Sequence, residues 1–171
     1  MALYTVNNGP GFASAGALSN ISTTLGAATG CLLAITAETT TLGVSRARIY
    51  EISVGANGLP NATDCAIIWD LSAVTAAGTA SGAGMVPVAL DQADIPGRIT
   101  ADANFTAAPT VTANSSRWGL AANQRASYRW VVNPGGPGDI IIPATDEAGY
   151  GVRAASSTYA STCITELKWL E

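Results

Sequence analysis

Histidine is absent from this 171-residue sequence, which removes the commonest general base, the usual triad base and the commonest metal ligand. Lysine occurs once, at Lys168, and the arginines are dispersed apart from the pair Arg46 and Arg48. With a net charge of −4, the chain lacks the clustered cations that displace counterions from a phosphate backbone, so nucleic acid is not an expected partner. Charged residues make up only 12%, roughly half the share of an ordinary soluble domain. Aromatic residues make up 6%, so the apolar content comes mainly from Ala, Val, Ile and Leu. No apolar run approaches the ~18 residues that cross a bilayer as a helix, and no membrane partner is expected. The first ten residues have neither a basic region nor a long apolar run, which points to synthesis in a host cytoplasm without a secretory signal. The Asn-x-Ser/Thr triplets at Asn20, Asn61, Asn104 and Asn114 then read as products of a Ser/Thr/Asn-rich sequence.

Cysteine is also scarce. Cys31, Cys65 and Cys163 are odd in number and widely spaced, so reduced, buried thiols are expected and a disulfide framework is not. A zinc site without His needs four thiolates, and one chain offers three. No glycine-rich phosphate loop opens a helix and no Gly-x-Ser-x-Gly occurs, so neither cofactor nor small-molecule substrate is expected.

Small residues and short β-branched runs fill the space these absences leave. The runs are bounded by Gly, Pro and Asn, which is the signature of strands, and helical periodicity is missing. Strands are expected at 3–6, 31–36, 46–54, 66–74, 109–113, 117–121, 126–132, 139–142, 149–157 and 162–170, the last two as a terminal pair. Strict alternation over 46–54 puts Arg46, Arg48, Tyr50, Ile52 and Val54 on one face, with Ala47, Ile49, Glu51 and Ser53 on the other. Residues 76–108 are the least regular part, with Pro87–Asp94 an extended piece or a helical turn. Asn133–Gly138 is the strongest turn signal. The expected core is Ile49, Ile52, Ile67, Trp69, Leu71, Tyr128, Trp130, Val132, Ile141, Leu167 and Trp169.

About ten short strands without a repeat give an all-β fold: a single-domain antiparallel β-sandwich of the jelly-roll kind over residues 31–171. Residues 1–30 add a strand and an Ala/Gly/Ser/Thr-rich arm too poor in large side chains to form a core, flexible or ordered only on a partner. Removing residues 2–28 is therefore expected to weaken association more than folding.

The acids offer little chemistry. Asp64 and Asp70 flank Trp69, Asp91 and Asp94 share a loop, and Asp139 precedes Asp146 and Glu147, but no spacing brings two carboxylates together as a glycosidase needs. Asp91-Gln92-Ala93-Asp94 supplies too few oxygens for a calcium loop. No catalytic, cofactor or metal residue is assigned. Trp69, Trp118, Trp130 and Trp169 lie in apolar strands, where packing competes with a sugar-stacking role. Candidate interface residues are Arg46, Arg48, Trp118, Arg125, Glu166 and Lys168, since Arg and aromatic rings are favoured where subunits meet. Cross-strand ion pairing is the plain alternative for the charged ones.

A charge-poor surface reads either as an Ala/Gly-biased host composition or as surface covered by neighbouring protein. The opening Met-Ala-Leu-Tyr-Thr-Val, the strand Arg46–Val54, the stretches 89–94, 120–130 and 141–145, and Ala-Gly-Tyr-Gly at 148–151 together resemble the capsid decoration (cement) proteins of tailed bacteriophages. That resemblance implies a non-enzymatic homotrimer on the outer capsid surface, bridging copies of the major capsid protein. A carbohydrate-binding tail or fibre module is the alternative.

Overall fold

Strands account for all the regular structure described in the computed structural model, which covers residues 2–9, the backbone of 19–20, and residues 30–39, 43–80 and 85–171. They are β1 (Leu3–Asn7), β2 (Ser19–Asn20), β3 (Cys31–Ala37), β4 (Ala47–Ala56), β5 (Ala66–Ala76), β6 (Thr79–Ala80), β7 (Val88–Ala89), β8 (Ile99–Ala103), β9 (Phe105–Ala107), β10 (Thr110–Asn123), β11 (Ser127–Val131), β12 (Ile140–Ile142), β13 (Gly149–Ala155) and β14 (Thr162–Leu170). One sheet runs β11-β4-β14-β1-β7, with β12 also on β4 and β2 on β14; the other runs β10-β5-β13-β3-β8. The expected antiparallel β-sandwich is the fold.

The pairing is nested. β1 pairs β14, β3 pairs β13, β4 pairs β11 and β12, and β5 pairs β10. A long antiparallel ribbon is thus wound so that successive rungs fall in opposite sheets, which is jelly-roll connectivity. The expected terminal pair is corrected here: β13 bonds β3 and β5, while β14 bonds β1 and β4 in the facing sheet.

Ile67, Trp69 and Leu71 of β5 face Ile49, Ile52, Leu167 and Trp169 of the other sheet, and all are buried. Gly149 is the one residue type that fits its place between β3 and β5, because a Cβ there would run into the Ile35 carbonyl oxygen. β1 is no arm. Tyr4 and Val6 are buried, Tyr4 stacks on Trp169 at 5.9 Å, and Ala2 and Glu171 exchange backbone hydrogen bonds at 2.8 and 3.0 Å. The sandwich therefore includes β1, and deletion of residues 2–28 would remove this strand together with the arm. Residues 10–18 and 21–29, the rest of the expected arm, lie outside the described residues, as do 40–42 and 81–84.

Three further expectations change. The alternation of 46–54 is broken at Tyr50: Lys168 pairs Glu51 and Trp169 pairs Ile49. The extra residue is a β-bulge, which turns Ile49, Ile52 and Val54 all inward and puts Glu51 outside. Thr110–Asn123 is one strand interrupted by register shifts between Thr110 and Trp118, not two strands. Tyr128 and Ile141 are exposed, and Trp130 and Val132 only half-buried. Tyr128 and Trp130 do point inward, opposite Val54 and Ile52, but they sit on the last strand of the sheet with no neighbour beyond it among the described residues. In β12 the inward residues are Ile140 and Ile142, one position out of step with the expectation.

Candidate interaction surfaces

The two sides of the sandwich are built differently. At the β7/β8 side one segment laces the sheets together. Met85 bridges to Ala101 of β8, and three residues later Val88 and Ala89 pair with β1. The Tyr4 hydroxyl donates to the Ile95 carbonyl at 2.7 Å, and the Glu171 carboxylate accepts the Arg98 and Ile99 N–H groups. Closing this side leaves apolar side chains outside: Val86, Val88, Leu90 and Ile95 are between 50% and 81% exposed.

At the β10/β11 side the sheets are joined by the turn at 124–126, which bonds the 57–65 connection between β4 and β5. Trp118 and Leu120 of β10 lie opposite the inward-facing Leu71 and Trp69, and Tyr128 and Trp130 line the facing edge. Trp118 and Tyr128 meet across the mouth with ring centroids 6.3 Å apart and tilted by 34°. Edge strands with unpaired backbone and half-exposed aromatic rings are an adhesive feature unless covered.

Polar anchors hold this mouth in shape. The bulged stretch of β10 is pinned by Ser115, whose Oγ accepts from the Ala73 N–H at 3.0 Å and donates to the Thr112 carbonyl at 2.7 Å. Asn114 turns the chain with φ of 56°, a conformation Asn tolerates better than most residues. The Gln124 amide clamps the turn by accepting the Asn61 N–H and donating to the Asn61 and Thr63 carbonyls. Arg125 donates to Asp64 at 2.7 Å outside it. This exposed pair fixes geometry and adds little stability.

Glu166 and Lys168 lie on the outer face of the β11-β4-β14 sheet, in a network centred on Glu51. Arg129 forks both Glu51 oxygens at 2.8 Å, Lys168 donates to Oε1 at 2.9 Å, and Thr5 donates to Glu166 at 2.9 Å. The two Glu51 donors, Arg129 first and then Lys168, outweigh its burial and hold its carboxyl at about 2. Because the folded value lies below the ordinary 4.5, this stabilisation is fully present above that pH and is lost as pH falls toward 2. Glu51→Gln should therefore flatten the acid limb of a melting-temperature profile; an unchanged limb would remove Glu51 from the acid sensitivity of the fold.

Of the expected interface residues, Glu166 and Lys168 are brought together, and Trp118 and Arg125 share the β10/β11 side. Arg46 and Arg48 stand apart beside β12 and make no ion pair with a described residue. Glu51 and Arg129 were invisible to pattern reading, since the bulge at Tyr50 decides their face. A second pair, Arg153 with Asp70, lies on the other sheet: Arg153 donates to Oδ2 at 3.0 and 2.6 Å and to the Ser72 hydroxyl at 2.9 Å, while Ser72 donates to Asp70. Three of the loop acids serve as turn acceptors: Asp91 for the Ala93 N–H, Asp139 for Gly135 and Asp146 for Thr39.

Burial lifts the Cys31 and Cys163 thiols to about 12, which leaves them unreactive. Among the described residues no group of three or more acids or cysteines converges as a metal site, and no helix is long and apolar enough to cross a membrane. No family model, curated protein or solved structure matches the chain.

Proposed function

We propose that the chain is a non-enzymatic structural subunit of a virion, a capsid decoration (cement) protein that binds the outer surface of an icosahedral shell as a homotrimer and bridges copies of the major capsid protein. The observation that carries this reading is the open β10/β11 side: two strand edges unpaired among the described residues and the Trp118–Tyr128 rings on a domain with only 12% charged residues. Surface of that kind gains free energy when protein covers it. Binding that favours the closed shell adds to the work of opening it. Many symmetry-related copies make weak individual contacts sufficient.

One specific feature favours a second reading. The Trp118–Tyr128 pair and the Asp64–Arg125 pair on the same side of the sandwich supply exposed ring surface and polar groups, as a carbohydrate-binding tail or fibre module requires. Electron microscopy of virions carrying the chain separates the two. Density on the outer shell is the expected result. Density on the tail, with glycan binding that disappears in Trp118→Ala or Trp130→Ala, overturns the decoration reading.

A further inference from the structure

We propose that the chain associates with itself head to tail, the β10/β11/β12 side of one copy seating against the β7/β8 side of the next. The inference deepens the assembly reading above by naming which surface meets which. The two sides are the ends of the same sandwich, and both combine the last named strands of the two sheets with exposed apolar side chains. β11 and β7 terminate one sheet and β10 and β8 the other. Tyr128 and Val131 are about half exposed at one end, Val86 and Ile95 more so at the other.

Charge makes the two ends complementary rather than alike. On the β10/β11/β12 side, Glu51 and Asp64 are already engaged by Arg129 and Arg125. That leaves Arg46, Arg48 and Arg117 as cations without an ion pair to a described residue, against one partly buried carboxylate beside β12, Asp139, which accepts the Gly135 N–H. Arg117 is exposed in the bulged part of β10, and Arg48 lies opposite Ile141 of β12. On the β7/β8 side the balance reverses. Asp91 and Asp94 are exposed in the turn after β7, and Glu38 and Asp102 lie near one another beside β8, with no ion pair to a described residue. Burial first and Glu38 second raise the Asp102 carboxyl, as expected where negative charge is uncompensated. Arg98 is the opposing cation at this end, and Glu171 adds a further carboxylate there, held by the Arg98 and Ile99 backbone N–H groups.

A basic apolar edge and an acidic apolar edge on one chain fit each other, whereas two like edges would repel. The contact is heterologous, so copies add in one direction and close into a ring where the rotation between them permits. A second copy is favoured as occupant because each end supplies what the other lacks.

Charge reversal at exposed positions tests this. Sedimentation of the full chain over a wide concentration range should show self-association. Arg117→Glu and Asp94→Lys should each weaken it about tenfold or more, since a like-charge contact costs at least the ~1.4 kcal/mol that a factor of ten represents. The double variant should recover it. Arg46→Glu provides a second reversal on the basic side, and matched melting temperatures confirm that the variants fold. If wild type associates but the single variants associate equally well, or the double variant fails to recover, the head-to-tail pairing is wrong while the assembly reading stands. A wild type that is monomeric throughout overturns the self-contact, and virion microscopy then judges shell binding separately.

Discussion

Trp169→Ala is expected to lower the unfolding free energy by about 3–5 kcal/mol, a large fraction of the roughly 5–15 kcal/mol that holds a domain together. Trp169 is fully buried near the end of β14, stacked on Tyr4 of β1 and paired in register with Ile49 of β4. Its removal opens a cavity where three strands of one sheet meet the facing layer. The Tyr4 hydroxyl also ties the 86–95 segment through Ile95, so loosening Tyr4 should spread to the β7/β8 side. The Trp169 Nε1 has no hydrogen-bond partner among the described residues. Trp169→Phe should therefore lose volume but no hydrogen bond and cost much less than the alanine variant. Urea unfolding of the two variants checks both statements. Equal losses would mean that the indole nitrogen, not the packing, matters.

Asp70→Ala should cost about 3–5 kcal/mol, the usual penalty for stranding one partner of a buried ion pair. Both side chains are nearly enclosed, at 12% and 13% exposure for Asp70 and Arg153, so water cannot replace the lost carboxylate. The Arg153 guanidinium would be left facing the Ser72 hydroxyl alone. Replacing both residues with apolar ones, Asp70→Leu with Arg153→Met, should recover most of the loss, because the desolvation of both charges disappears with them. A double-mutant cycle on unfolding free energies measures this coupling. Additive losses would show that Asp70 and Arg153 do not act as a pair.

Much of the fold was legible because a strand with one buried face must alternate and must end where Gly, Pro or Asn breaks pairing. Ile67, Trp69 and Leu71 are the clearest case: a simple alternation, paired on both sides by β10 and β13, and buried as expected. Local pattern failed where a single extra residue changed the face. Tyr50 looks like any other member of its strand, yet the bulge there sends Glu51 outward to meet Arg129 and Lys168. Pattern also cannot distinguish a central strand from an edge. Tyr128 and Trp130 point into the sandwich like core residues and remain accessible because β11 has no neighbour beyond it among the described residues. The same blindness hid β8, whose run Ile-Thr-Ala-Asp-Ala is weak by composition but is paired along its length with β3.

The sequence by itself determined that this is a helix-poor chain of short strands, without imidazole and short of charge, because residue type and period-two alternation act locally and need no partner to be read. Only the tertiary structure decided which strands are neighbours, which of them lie at an edge, and hence which aromatic and charged side chains remain available at the two ends of the sandwich. Pairing joins residues as far apart as Leu3 and Leu170. Such contacts arise when separate apolar faces find a common core, and nothing in the local order of side chains specifies which face each will find.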